Sequence, residues 1–336
     1  MSRATPHPHR RPWFRSGPLK TALAALSLTL VILGLGASAS AQKPRVLRIG
    51  YQKSSSLLLA KLDGQLDKAF RERGVTIEWR EFTSGPPLLQ GISSAALDVG
   101  EVGDAPPVFA QAAGAPLKYI AFAKPSPGSI GIVVKDGSPL KSLKELAGKR
   151  VGVAEGTSAH YFLIKALSSA GLGYKDITPV FLQPPEGRAA FENGSVDAWA
   201  IWDPFLAAAE LGNGASKGRL LTSGQGVVPF YGFYLASQKF LDESPDLVAP
   251  FLEQLEQLER RAKADTGKTA KTVATQLGIP LEIATLYEQR KQRYGAKPLT
   301  PEVIKSQQEI ADLFFAQGLI KRAVVVSEYV WAAGPR

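Results

Sequence analysis

The 336-residue sequence predicts an α/β fold built on mostly parallel sheets, and three features point to it. Short apolar runs alternate with amphipathic stretches, the pattern of repeated strand–helix–strand units. Several of those runs end in turns rich in Gly, Ser, Thr or Pro that lead straight into a helix. From about Lys239 onward helix follows helix, punctuated by Gly278, Pro280, Gly295 and Pro298. The length fits two domains or one large one.

In chain order, strands are predicted at Leu47–Gln52, Thr76–Phe82, Asp98–Val102, Lys118–Ala123, Ile130–Lys135, Arg150–Ala154, Thr178–Leu182, Asp197–Trp202, Arg219–Thr222 and Phe230–Ser237. Helices are predicted between them at Ser55–Arg73, Pro86–Ala96, Ala105–Ala113, Ser142–Ala147, Ser158–Ala170, Gly187–Asn193 and Pro204–Leu211. Leu163, Ala166, Leu167 and Ala170 recur at the spacing that buries one helix face. The polar helix Phe251–Ala264 carries a solvated face and no catalytic pattern. There is no repeat of fixed period, no low-complexity tract and no second apolar span.

The first 41 residues differ in kind. Arg3, Arg10, Arg11, Arg15 and Lys20 form an acid-free basic stretch, Thr21–Gly36 is uncharged, and Ala39-Ser40-Ala41 offers a small-residue cleavage site. This is the pattern of a secretory signal. A membrane anchor is the competing reading, but the 16 apolar residues are short for a bilayer and the cleavage site follows at once. The mature chain is expected to begin at Gln42. The Arg10-Arg11 pair suits both general and twin-arginine export, so the route stays open.

Removing that segment takes five of the forty Lys and Arg residues, leaving 35 against 30 acids, a net +5. With no dense basic block remaining, the composition does not point to nucleic acid, and no nucleic-acid partner is expected. Cysteine is absent, which excludes disulfides, thiolate metal sites and a cysteine nucleophile. It also leaves no lipid attachment at the cleavage site, which favours a periplasm. Of three histidines, only His160 lies beyond the signal, so neither a histidine-rich metal site nor any other metal or cofactor is expected.

Five strand ends carry the turns noted above: Gln52–Ser56, Thr83–Pro86, Gly103–Pro106, Glu155–Ser158 and Trp202–Pro204. In open α/β sheets, ligands bind beyond the carboxyl ends of the strands. A helix starting there offers unpaired N–H groups and a partial positive charge, so several converging starts make an anion site without an arginine. Taken singly, each Ser, Thr or Asp is explained as a helix cap. Asp104 and Asp203 suit that role best, since a carboxylate beside an anion repels it.

The segments LRIGYQKSSSLLLAK, DVGEVGDAPPVFAQAAGAPLKYI, LKELAGKRVGVAEGTSAHYFLIKAL and VDAWAIWDPFLAAAE carry a close resemblance to the aliphatic sulfonate-binding proteins of ABC importers. The combination of GYQK, GD-x-PP and DAWAIWDP is far more specific than any of these alone. Taurine- and nitrate-binding proteins are relatives. The resemblance spans roughly Leu47–Ile320. It implies a two-lobed type II periplasmic binding protein with a helical C-terminal region. Lobe one would be residues 42–129 plus 234–336, and lobe two residues 130–233. It also implies a non-enzymatic monomer that delivers ligand to an inner-membrane permease driven by a cytoplasmic ATPase. A sulfonate offers three acceptor oxygens and no proton. Gln52, Ser54, Ser55, Ser84, Gly85, Thr157 and Ser158 would supply donors, with His160 and Arg188 as further candidates. Trp202, Phe205 and Tyr234 would line the place of the organic tail, with Asp104 and Asp203 in the walls. Neutral donors around a non-titrating anion would give an affinity flat between about pH 6 and 9.

Other readings stay open at this point. The same fold could take taurine, nitrate, bicarbonate, a thiamine precursor or an aromatic sulfonate. A pyrimidine precursor synthase would need a cysteine-rich segment and a sacrificial histidine, which this chain lacks. A regulator's effector domain would need an N-terminal helix-turn-helix where the signal stands.

Overall fold

A computed structural model of the chain describes residues 45–291 and 295–332. The predicted export segment, Met1–Ala41, lies outside the described residues. The chain first lays down β1 (Arg45–Tyr51), α1 (Ser56–Asp63), α2 (Gln65–Arg71), β2 (Val75–Glu81), α3 (Gly85–Ser93), β3 (Val99–Gly103), α4 (Ala105–Ala112) and β4 (Leu117–Ala123). It crosses through residues 124–129 into β5 (Ile130–Lys135), β6 (Arg150–Val153), α5 (Ser158–Ser169), β7 (Thr178–Phe181), α6 (Pro184–Asn193), β8 (Ala198–Trp202), α7 (Phe205–Glu210) and β9 (Gly218–Ser223). It returns to β10 (Gly232–Ser237) and ends in α8 (Gln238–Glu243), α9 (Val248–Ala264), α10 (Thr266–Leu277), α11 (Leu281–Arg290) and α12 (Pro301–Ala316).

Two five-stranded sheets result, ordered β2-β1-β3-β10-β4 and β7-β6-β8-β5-β9. In the first, β1 runs parallel to β2 and β3, while β10 is antiparallel to β3 and β4. In the second, β6 runs parallel to β7 and β8, while β5 is antiparallel to β8 and β9. The reversed strand in each sheet is the one that has just arrived from the other sheet. Ile130 at the start of β5 pairs with Trp202 at the end of β8, and Gly232 at the start of β10 pairs with Gly103 and Ala123 at the ends of β3 and β4. Each crossing therefore enters its new sheet at the carboxyl ends of the other strands, which places those ends beside the crossings.

Packing follows from the apolar pattern. Of the predicted stripe, Leu163, Ala166 and Leu167 of α5 are fully buried and Ala170, at the helix end, is half-buried; Phe162 is buried beside them. The buried residues meet Val133, Trp199 and other apolar residues in one core. Each buried Leu or Phe side chain contributes roughly 1.5–3 kcal/mol. From the C-terminal region, α12 places Phe314 against Phe109 of α4 at 4.8 Å and against the His160 ring of α5 at 6.2 Å, bridging the helices of both sheets.

Three predicted elements are corrected. The helix predicted over Ser55–Arg73 is broken at Gly64, whose φ of 68° is left-handed and ends α1. The stretch predicted as a helix over Ser142–Ala147 is a single 3-10 turn, Leu143–Leu146, too short to propagate. Finally, α6 starts at Pro184 rather than Gly187, because proline suits the first helical position and Glu186 closes a capping box with Gln183.

Candidate functional site

Where the carboxyl ends of the two sheets face each other lies a small pocket of about 20 Å3, room for one water-sized group. Gln52, Ser54 and Ser55 line it after β1, Gly85 at the start of α3, Glu101 and Gly103 on β3, Thr157 and Ser158 at the start of α5, and Trp202 at the end of β8. A larger chamber of about 310 Å3 shares Gln52, Ser54 and Trp202 with it and adds Phe82, Pro185, Phe205, Lys53, Glu81 and Arg188. The inner space is rich in hydroxyls, and the outer one is walled by aromatic rings with charges at its edge.

The corner after β1 is tightly knit. Ser55 Oγ accepts from Leu57 N at 3.0 Å and donates to Glu101 Oε2 at 2.7 Å, the oxygen that also takes Ser56 N–H at 2.7 Å. Gln52 Nε2 donates to the Glu101 carbonyl at 3.1 Å, and Tyr287 Oη of α11 donates to the Ser54 carbonyl at 3.0 Å. An internal carboxylate thus serves the start of α1.

Helices α3 and α4 share a device. Both continue after their first residue with two prolines, Pro86-Pro87 and Pro106-Pro107. An N-cap side chain bonds the N–H of the second or third helical residue, and here both lack one. Ser84 and Asp104, at the two cap positions, accordingly make no capping bond. Ser84 Oγ instead donates to Gln183 Oε1 at 2.8 Å, and Thr83 Oγ1 reaches the same atom at 3.3 Å, tying the start of α3 to the start of α6. Asp104 is buried, and its carboxyl is pushed up to about 6 by that burial, against the lowering effect of the Ser158 hydroxyl and the Tyr231 and Ala105 N–H groups.

At α5, Thr157 Oγ1 donates to the Ala154 carbonyl at 2.6 Å and makes no capping bond, so its side chain leaves the first-turn N–H groups to other acceptors. Ser158 stands against Gly103 of the first sheet. A Cβ at position 103 would lie 2.2 Å from Ser158 Oγ, so only glycine permits this approach.

Of the predicted site residues, Gln52, Ser54, Ser55, Gly85, Thr157, Ser158 and Trp202 line the inner pocket, and Arg188 and Phe205 the outer chamber. Ser84, Asp104 and Asp203 are buried and line neither space. Four expectations change. Asp104 stands at the cap position of α4 without making a capping bond, while Arg188 lies inside α6, within the predicted helix, with Nε donating to Glu192 at 2.8 Å. Asp203 is not the N-cap of α7, which begins at Phe205 after Pro204, although its Oδ1 still accepts from Ala207 N at 2.9 Å. Arg290 of α11 stands 3.6 Å from that oxygen. Tyr234 sits two residues inside β10, packed on Phe251 at 6.4 Å with Oη donating to the Gly295 carbonyl at 3.2 Å, away from the pocket. His160 is fully buried among Tyr174, Phe181 and Phe314; its Nδ1 accepts from Gly156 N at 3.3 Å, and burial pushes the imidazole down to about 4. Sequence reasoning missed Glu101 and Gln183. For Glu101 the available signal was its place two residues before the GD-x-PP turn.

A family model described as NMT1/THI5 like matches residues 70–259. A protein of Escherichia coli (strain K12) named for binding aliphatic sulfonates is 36% identical over 314 residues, 93% of this chain and 96% of that protein. Among solved structures, the alkanesulfonate-binding protein SsuA from Xanthomonas axonopodis pv. citri, bound to MOPS, is 39% identical with a TM-score of 0.81, covering 87% of this chain and 99% of that one. The periplasmic aliphatic sulphonate binding protein SsuA from Escherichia coli is 36% identical with a TM-score of 0.77, covering 86% and 92%. The chain belongs to the NMT1/THI5-like family and to the aliphatic sulfonate-binding proteins.

Proposed function

We propose that this chain is the periplasmic solute-binding subunit of an ABC importer and captures aliphatic sulfonates for sulfur acquisition. It is a binding protein, not an enzyme. The observation that carries the reading is the pair of adjoining spaces: a small one lined by Ser54, Ser55, Thr157 and Ser158, and a larger one walled by Phe82, Trp202 and Phe205. The two spaces differ in character as a polar head and an organic tail do, and a sulfonate, larger than one water-sized group, enters the inner one as its walls part. The head lies against the start of α5 and Gly85, where backbone N–H groups and a helix dipole favour an anion. Gln52, Ser54 and Ser55 flank it from the first sheet, and Arg188 stands at the tail end.

In this reading residues 42–129 with 234–336 form one lobe and residues 130–233 the other. The chain is exported by a cleaved segment ending at Ala41, acts as a monomer, and passes its ligand to a permease with a cytoplasmic ATPase. A thermal-shift panel of alkanesulfonates, taurine, nitrate, bicarbonate and carboxylates tests the assignment. Alkanesulfonates at about a hundred times their Kd should add roughly 2.7 kcal/mol of stability. A shift with nitrate or bicarbonate and none with sulfonates would move the chain to another ligand class.

A further inference from the structure

Asp104 is a fully buried carboxyl directly behind the pocket, and neither of its oxygens makes a close hydrogen bond to a described residue. Its position at the head of α4 gives it nothing to cap, because Pro106 and Pro107 follow. Of the side-chain donors around it, only the Ser158 hydroxyl also lines the pocket, and that hydroxyl makes no close bond of its own. The other groups that face it are the backbone N–H groups of Tyr231 and Ala105 and the phenols of Tyr119 on β4, Tyr161 on α5 and Tyr231 before β10. Gln307 of α12 bonds only its carbonyl. Among the described residues no lysine, arginine or histidine belongs to this set.

A serine hydroxyl has one hydrogen to give. While Asp104 is ionised, its charge draws that hydrogen toward the carboxylate and repels an anion at the start of α5. A neutral carboxylic acid removes that pull and offers its own hydrogen to Ser158 Oγ, so the serine hydrogen is left to turn to the ligand. We propose that protonation of Asp104 turns the Ser158 hydroxyl toward the bound sulfonate, so that ligand capture takes up a proton. The inference rests on the sulfonate reading above. Asp104 is thereby a positioning residue that makes affinity depend on pH although the ligand does not titrate, in place of the flat profile expected from neutral donors alone. The burial that already holds its carboxyl near 6 puts the break in an accessible range.

The test is titration calorimetry with butane-1-sulfonate from pH 5.5 to 8, in buffers that contain no sulfonate. Above the break, wild-type affinity should fall by up to about tenfold per pH unit. Runs in two buffers of different ionisation heat should show net proton uptake by the unaltered protein. Asp104→Asn offers Ser158 a permanent donor and should bind with a flat pH profile, tighter than wild type at pH 8. Ser158→Ala should be flat and weak. Saturable binding with no proton uptake and the same flat profile in wild type and Asp104→Asn overturns the inference alone, as does a slope that persists in Asp104→Asn. If no sulfonate binds at any pH, the functional reading falls and takes this inference with it. Melting of each variant without ligand verifies its fold, and the proton count in wild type decides the matter without any variant.

Discussion

Gly103 and Ser158 face each other across the cleft so closely that a Cβ on Gly103 would lie 2.2 Å from the serine hydroxyl oxygen. The two residues end a strand of one sheet and begin a helix beside the other, so this contact sets how near the walls come. Gly103→Ala should leave the ligand-free melting temperature nearly unchanged, because the walls can part by a fraction of an ångström. It should weaken butane-1-sulfonate binding at least tenfold by calorimetry. Unchanged affinity would mean that this approach is not part of the bound form.

A second cross-wall contact is polar. Gln183 Oε1 takes hydrogen bonds from Ser84 and Thr83. Gln183→Ala should cost about 0.5–1.5 kcal/mol of binding free energy, the ordinary worth of a hydrogen bond. Gln183→Glu keeps the acceptor and should cost less unless its charge repels the ligand. A calorimetric series on the three proteins separates the effects, and wild-type affinity in the alanine variant would sink the role.

Much of this arrangement was legible in the sequence. Apolar runs located the strands because both sheets are covered on both faces, and Ile130–Lys135 is found as predicted. The turns after the strands marked the site because parallel strands bring their ends to one edge. What escaped was set by partners far away in sequence. His160 and Tyr234 are polar-tipped rings at suggestive positions, yet Phe314 and the Gly295 carbonyl, contributed by the C-terminal region, decide their surroundings. The role of Glu101 comes from Ser55 and Ser56, which donate to it from just beyond the end of a neighbouring strand. The paired prolines were in plain view, and their consequence for Ser84 and Asp104 follows from capping geometry.

His160 and Asp104 give opposed pH dependences of stability. The imidazole lies near 4 when folded and near the usual 6.5 when unfolded, so its contribution is lost as pH falls from about 6.5 toward 4, by up to about 3 kcal/mol. The Asp104 carboxyl lies near 6 folded and near 3.9 unfolded, so its contribution is lost as pH rises through that window, by a similar amount. Urea unfolding of wild type should therefore be nearly level between about pH 4.5 and 6. Asp104→Asn should expose a clear rise in stability with pH over the same range. A level profile in both would contradict the buried, neutral histidine.

The outer chamber of about 310 Å3 predicts a tail-length effect. Each added methylene of an n-alkanesulfonate should gain up to about 0.8 kcal/mol until the space is filled. In Trp202→Ala the gain per methylene should shrink, since the ring lines both spaces. Affinity independent of chain length from methane- to hexanesulfonate would place the tail elsewhere.

The central claim, that the cleft is built for a sulfonate head, is tested most directly by calorimetry with butane-1-sulfonate and pentanoate, which carry the same tail. At pH 6 and in buffer free of sulfonates, butane-1-sulfonate should bind one to one with a Kd in the micromolar range or below, about −8 kcal/mol. Pentanoate should bind at least tenfold more weakly, because a carboxylate leaves a donor unmatched at about 1–3 kcal/mol. Equal affinity for the two, or binding of pentanoate alone, would contradict the account.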